Sequence, residues 1–169
     1  MSSDRPDVTL RPVRPDDIPA LAAMLATPEV ARWWPNYGLA RVETEFLGGV
    51  ADVTVYAIES AGRLAGAIQA YEEPDLEFRL AHMDIFIDPE LHGRGIGPAA
   101  IRTFAAQLID EGGHHRLTID PAADNAVAIR VYEKVGFRPV GRMRRYQRMA
   151  DGTWGDGLLM DLLADELVR

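Results

Sequence analysis

The sequence predicts an α/β fold: one domain spanning residues 1–169, with a mixed central sheet of about six or seven strands flanked by about four helices. Three observations predict it. A length of 169 residues suits a single domain with a substantial core. Segments of two-residue and of three-to-four-residue hydrophobic period alternate along the chain. No repeat, low-complexity tract or linker divides it. Hydrophobic residues at 47% and charged residues at 26% are the proportions of a folded globular protein, which excludes a disordered or fibrous chain.

The elements follow in order. Val8 to Arg14 alternates apolar and polar residues and stops at Pro15, as a strand does. Asp16 or Asp17 can cap a helix through about Thr27, with Ile18, Leu21, Ala22 and Leu25 on one face. Pro28 interrupts it, and Trp33-Trp34-Pro35 leads to a second helix over about Leu39 to Gly48. Val53 to Glu59 and Leu64 to Tyr71 are strands joined by a short hairpin turn at Ser60 to Arg63. Glu72 to Glu77 reads as an acidic loop, and Phe78 to Ile87 as the next strand. A glycine-rich turn then opens a helix from about Pro98 to Glu111, whose buried face is Ile101, Phe104, Ala105 and Leu108. Leu117 to Ile119 is the heart of another strand. Asp124 or Asn125 caps a helix to about Lys134, closed by Gly136. Arg138 to Met149 and Trp154 to Leu163 form a last hairpin around Asp151-Gly152.

Composition narrows the function. No apolar run nears the roughly 18 residues of a membrane span, and Met1 to Val8 lacks a secretory core, so a cytoplasmic protein is expected. The absence of cysteine excludes disulfides, thiolate metal sites and a thiol nucleophile. His82, His92, His114 and His115 lack the spacing of a helical metal-binding pair, so no metal is expected. His114 and His115 read as a surface turn without a role. A formal charge of −8 argues against nucleic acid and anionic membrane as partners; it permits a cationic ligand and equally suits plain solubility.

Two segments carry chemistry. In Ile87-Asp88-Pro89-Glu90-Leu91-His92-Gly93-Arg94-Gly95-Ile96-Gly97, three glycines sit between a strand and a helix, where free amides and the helix dipole attract phosphate. It is neither a P-loop nor a dinucleotide-binding glycine fingerprint. Asn125 to Phe137 reads N-x-x-A-x-x-x-Y-E-K-x-G-F, with Ala128 in the alanine position and Tyr132-Glu133-Lys134-Val135-Gly136-Phe137 at the end. The two motifs, in this order, resemble those of the GNAT superfamily of acyl-CoA-dependent N-acetyltransferases, and the order of elements matches a GNAT fold along nearly the whole chain. His92 stands where that superfamily usually has Gln or Arg.

The resemblance implies acetyl-CoA as cofactor, cradled by His92, Gly93, Arg94, Gly95, Ile96, Gly97 and Pro98, with the pyrophosphate on the amides of Arg94 to Gly97. Its pantetheine arm would pair with the backbone of Ile85, Phe86 and Ile87, between strands ending near Ile87 and Asp120. Asn125 aligns with a residue that contacts this arm, and it also suits a helix cap. Tyr132 aligns with the tyrosine that protonates the leaving thiolate while the amine attacks directly; packing on a helix face is its other reading.

Within the superfamily the chain is similar to aminoglycoside 6′-N-acetyltransferases. Val30-Ala31-Arg32-Trp33-Trp34, Asp84 in His82-Met83-Asp84-Ile85, and Asp120-Pro121 with Asn125 carry this likeness, although a Gly-Ile-Asp-Gln of that group has become His-Met-Asp-Ile here. It implies a catalytic set of Tyr132, Asp120 and Asp84, with Asp84 and Asp120 sharing the base and ammonium-binding roles in an order left open. Trp33 and Trp34 are candidates to stack on a sugar or cation, or one of them fills the core. Glu72 and Glu73, with Asp75 and Glu77, either gather cations or form a solvated acidic turn. Arg138, Arg142, Arg144, Arg145 and Arg148 suit a solvated strand face or a contact with the cofactor's phosphate. Other readings are acetylation of a protein N-terminus, another small amine or a polyamine, or a non-catalytic acyl-CoA-binding domain. A monomer or a homodimer is expected.

Overall fold

The computed structural model describes residues 6–169. The first five residues of the expected single domain lie outside the described residues. Seven strands form one sheet: β1 (Val8–Pro12), β2 (Val53–Ser60), β3 (Arg63–Glu72), β4 (Ala81–Ile87), β5 (Arg116–Ile119), β6 (Arg138–Arg148) and β7 (Trp154–Leu163), in the spatial order β1-β2-β3-β4-β5-β7-β6. Five helices accompany it: α1 (Ile18–Ala26), α2 (Pro28–Ala31), α3 (Leu39–Phe46), α4 (Ile96–Asp110) and α5 (Ala126–Val135). The extra helix is α2, a single turn that Pro28 separates from α1 because proline opens a helix but cannot continue one.

Two apolar clusters build the body. Ile18, Leu21, Leu25, Val42 and Phe46 of α1 and α3 pack with Val55, Ala67 and Phe86 of the sheet. Ile96, Ile101, Phe104, Ala105 and Leu108 of α4 join Ile68, Met83, Leu117, Tyr132, Phe137 and Leu162 in the larger cluster. Side chains alternate along β4, so Met83 enters the α4 cluster while Phe86 enters the α1–α3 cluster. His82 and Asp84 share Phe86's side of the strand. Close contact between β3 and β4 depends on Gly66, where a Cβ would lie 2.1 Å from the Phe86 carbonyl oxygen.

Some expected boundaries move, with identifiable causes. Asp17 does not cap a long helix; its carboxylate accepts from the Arg14 amide at 2.8 Å and from the Arg11 guanidinium at 2.7 Å, which ties a short 3₁₀ turn to β1. The strand expected from Phe78 begins at Ala81. Carboxylates of Glu73 and Asp75 accept from the amides of Asp75 and Glu77, and these local bonds hold the chain in a turn that leaves Phe78 exposed. The helix expected from Pro98 starts at Ile96, because Gly95 at φ +77° already turns the chain into it. His114 is buried rather than on a surface turn: its amide donates to the Leu108 carbonyl, which tucks it under the end of α4, and its Nε2 lies 2.7 Å from Glu72 Oε2.

Every neighbouring strand pair is antiparallel except β4 and β5. That parallel pair meets only at Ala81–Leu117 and His82–Thr118. Beyond His82 the strands separate, and the sheet opens between two elements that each carry chemistry-bearing residues.

Candidate active site

The opening between β4 and β5 leads into a cavity of about 1270 Å³. One wall is made largely of backbone. Gly93 and Gly95 adopt φ of +75° and +77°, which bends the chain from the end of β4 into α4. No side chain caps α4, so its first amides face the cavity mouth with the positive end of the helix dipole. A Cβ at Gly93 would meet nothing within 4 Å, and one at Gly97 only Ile87 at 3.8 Å, so space is left for a phosphate-sized anion. His92 Nε2 bonds the Ile87 carbonyl at 2.9 Å and pins the turn. Beyond its short pairing with β5, the second edge of β4 is free to receive an extended ligand as an added strand. A phosphorylated arm of acyl-CoA type fits this wall on both counts.

Helix α5 supplies the floor. Asn125 caps it by accepting from the Ala128 amide at 3.2 Å, and two turns later Tyr132 is buried while still lining the cavity. Burial, with the charges of Asp84 and Asp120 behind it, holds the Tyr132 phenol well above its ordinary value and therefore neutral.

Opposite Tyr132 lies a polar cluster. His82 Nε2 is 3.1 Å from Asp120 Oδ1, and His82 Nδ1 is 2.9 Å from Thr118 Oγ1. The Tyr146 hydroxyl donates to Asp120 Oδ2, and Gln69 Nε2 donates to Asp84 at 3.3 Å. One ligand atom each of His82, Asp84 and Asp120 lies within 4.8 Å of the others. These donor types also suit a metal, yet both His82 nitrogens are already engaged, so the cluster is built to share protons. Burial pushes the Asp84 carboxyl up; Asp120 adds to the rise, and the His82 charge and the Gln69 bond oppose it. Burial lowers His82, but the Asp120 bond and the Asp84 charge outweigh it and the net direction is upward.

The remaining wall comes from α2, α3 and β6. Trp34 packs edge-on against Phe86 and Tyr37, each at 5.3 Å, so this indole fills the core beside the cavity. The face of Trp33 is covered by its neighbour Arg32 at 4.5 Å, and Arg41 lies 3.8 Å over Tyr37. Trp33 thus carries a guanidinium on one face while it lines the cavity. Arg148, exposed on β6, completes a basic rim.

Most sequence-derived site residues border this cavity: Trp33, Trp34, Asp84, Ile85, Phe86, Ile87, His92, Gly93, Gly95, Ile96, Gly97, Pro98, Asp120, Asn125 and Tyr132. Arg94 does not; its side chain is exposed at the apex of the turn. Glu72 and Glu73 are a correction to the acceptor site, for they line a separate cavity of about 420 Å³ with Arg79 and His114. They belong to the end of the sheet where β4 and β5 are still paired, since Glu72 lies opposite Ala81 and Ala81 opposite Leu117. Of the arginines on β6, Arg142 pairs with Asp156 and Arg138 with Glu166 along an exposed strand. Sequence reading missed His82 and Tyr146. The alternation of His82 with Asp84 on one strand face was a usable signal. Tyr146 had none, since a bulge between Met143 and Gln147, with Arg145 at φ +50°, turns it toward Asp120.

A family model described as an acetyltransferase (GNAT) domain matches residues 7–138. The chain belongs to the GNAT acetyltransferase family. It is 31% identical over 150 residues to the mycothiol acetyltransferase of Salinispora arenicola, covering 83% of this chain and 48% of that protein, so it spans about half the relative's length. It is 29% identical over 121 residues to the N-alpha-acetyltransferase RimI of Mycobacterium tuberculosis, covering 69% of each. It is 27% identical over 159 residues to the aminoglycoside N(6′)-acetyltransferase type 1 of Klebsiella pneumoniae, covering 83% of this chain and 79% of the other. Among solved structures, aminoglycoside acetyltransferase AAC(6′)-Ib in complex with coenzyme A and kanamycin superposes with a TM-score of 0.79 at 25% identity, over 95% of this chain and 96% of that one. No helix among the described residues is long and apolar enough to cross a membrane.

Proposed function

We propose that the chain transfers the acetyl group of acetyl-CoA to a small primary amine, and that the amine is the 6′-amino group of an aminoglycoside. The observation that carries the reading is the meeting of Tyr132, Asp84 and Asp120 around one cavity where β4 and β5 part. Acetyl-CoA supplies an acetyl thioester. The glycine turn and uncapped start of α4 bind its pyrophosphate, and the free edge of β4 aligns its arm. Asp84 and Asp120 receive the acceptor as an ammonium ion and help strip its proton, so that the nitrogen attacks directly. Tyr132, held neutral, donates the proton of its Oη to the departing thiolate. Asp84, half-buried beside Gln69, positions the ammonium, while Asp120, held by Tyr146 and bonded to His82, takes its proton.

A second reading rests on the basic rim. Arg148, exposed at the rim beside Arg32 and Arg41, which are paired with Asp124 and Glu45, favours an acceptor that carries acidic groups near its amine, such as an acidic peptide N-terminus, over a polycation. Thiol release from acetyl-CoA separates the two, measured with kanamycin, tobramycin, amikacin, a 6′-hydroxyl analogue, spermidine, and acidic and neutral peptides. Saturable turnover with 6′-amino aminoglycosides, absent for the 6′-hydroxyl analogue, establishes the first reading. Turnover confined to acidic peptides establishes the second. Acetyl-CoA binding without turnover on any acceptor overturns both and leaves an acyl-CoA-binding domain. The protein is expected to act in the cytoplasm, as a monomer or a homodimer.

A further inference from the structure

We propose that His82 stores the proton released by the acceptor ammonium, receiving it by way of Asp120. The proposal rests on the acetyl-transfer reading. An ammonium cannot attack a thioester until one N–H bond has broken, so the site needs a group that takes that proton and later returns it to water. A carboxylate near its ordinary value is a weak store at neutral pH, whereas an imidazole titrates close to the working range. His82 occupies the required place: it lines the cavity, its side chain is 24% exposed, and it alternates with Asp84 on one face of β4.

Asp120 connects it to the acceptor. Its Oδ1 is 3.1 Å from His82 Nε2, while its Oδ2 accepts from Tyr146 and is held in place. The step balances as follows. An ammonium N–H bond breaks first, its proton passing to Asp120 and on to His82 Nε2 while Nδ1–H is donated to Thr118 Oγ1 at 2.9 Å. The freed lone pair then forms the C–N bond as the thioester C–S bond breaks, Tyr132 protonates the thiolate, and the second N–H proton of the acylated nitrogen restores Tyr132. The imidazolium returns its proton to water after product leaves.

The surroundings favour the charged imidazole. Facing it are Asp84 on β4, Asp120 after β5, the phenols of Tyr132 on α5 and Tyr146 on β6, and, across the cavity, Tyr37 and Arg41, the latter neutralised by Glu45 at 2.7 Å. Thr118 and Gln69 add no charge. Two carboxylates therefore outweigh a paired guanidinium, and the net direction for His82 is upward from 6.5. By linkage, the pair's contribution to stability is full below 6.5 and is lost as pH rises through the raised folded value.

The test compares kcat/KM against pH for the wild type and for His82→Gln, whose amide keeps hydrogen bonds to both neighbours but does not titrate. The acceptor's own ionisation is common to both proteins, so the ratio of the profiles reads His82 alone. The variant should lose about tenfold to a hundredfold above the His82 value, with the ratio closing as pH falls through it. A loss that is uniform with pH, or none, overturns the proposal. Imidazole NMR of the protein alone gives a readout without turnover. One resonance absent from His82→Gln should titrate above 6.5 and shift downward in Asp120→Asn. Titration below 6.5, or no response to Asp120→Asn, overturns it as well. Thiol release with an unchanged pH ratio sinks the His82 role only. Failure of every amine to release thiol sinks the acetyl-transfer reading, and the mechanism for His82 with it.

Discussion

The two walls of the cavity are made differently. The wall from Ile87 to Pro98 presents glycine backbone and helix amides, whereas the opposite wall presents side chains drawn from α2, α3, β4, the segment after β5, and β6. A backbone wall recognises what its ligands have in common, here a phosphorylated arm, and it tolerates changes of side chain. A wall of side chains recognises the charge and shape of one ligand and changes whenever those residues do. This contrast accounts for relatives that share the fold but bear names with different acceptors.

Four substitutions and one control sharpen the contrast or break it. The largest effect is expected from Tyr132→Phe, which removes the only proton donor proposed for the thiolate: kcat should fall by about 10² to 10⁴ while the KM for acetyl-CoA stays nearly constant. The ring keeps its packing against Phe137, so the thermal midpoint should barely move. Retained turnover would remove Tyr132 from the chemistry. Next is Gly95→Ala, which forces an alanine to φ +77° at a cost of about 1–2 kcal/mol and disturbs the turn. The KM for acetyl-CoA should rise about tenfold, which at about 1.4 kcal/mol is of that size. Arg94→Ala serves as its control and should leave that KM within about twofold, because only the Arg94 backbone belongs to the cradle.

Arg148→Glu addresses the side-chain wall. The KM for a polycationic acceptor should fall, and that for an acidic peptide rise, by about three- to tenfold at low salt, with acetyl-CoA unaffected. The direction decides between the two proposed acceptors. The smallest effect on turnover is expected from Glu72→Gln, which weakens the contact with His114 in the separate cavity. Stability should fall by about 1 kcal/mol, seen as a thermal midpoint lower by a few degrees, and kcat/KM should not change. A loss of acceptor binding would return Glu72 to the site.

The two walls also differed in how far they could be read from residues in order. The glycine turn and the Asn125-to-Phe137 segment are each contiguous, and a strand, a turn and a helix start in sequence are enough to build an anion site. Tyr132 was assigned through the resemblance of its motif, and it lines the same cavity two turns beyond the Asn125 cap. Glu72 and Glu73 were misjudged for the opposite reason. They are near Asp84 in register, through Gln69–Asp84 and Glu72–Ala81, but β4 and β5 are still paired at Ala81, and the cavity that Glu72 and Glu73 line is a separate one. His114 was misjudged because a glycine pair marks the end of a helix without saying what the next residue will be buried against.

The sequence by itself determined the α/β domain, the order of its elements and the backbone wall, since these depend on hydrophobic period, caps and turn residues that act over a few positions. Only the tertiary structure decided the rest. The separation of β4 from β5 after one short pairing brings His82 and Asp84 to Asp120, which lies 38 residues beyond its bonded partner His82. The bulge in β6 adds Tyr146 from 26 residues beyond Asp120. The partners of Trp33 and Trp34 were likewise fixed by packing. Such contacts join segments distant in sequence, and their geometry is set by how the whole sheet and its helices pack, not by any local run of residues.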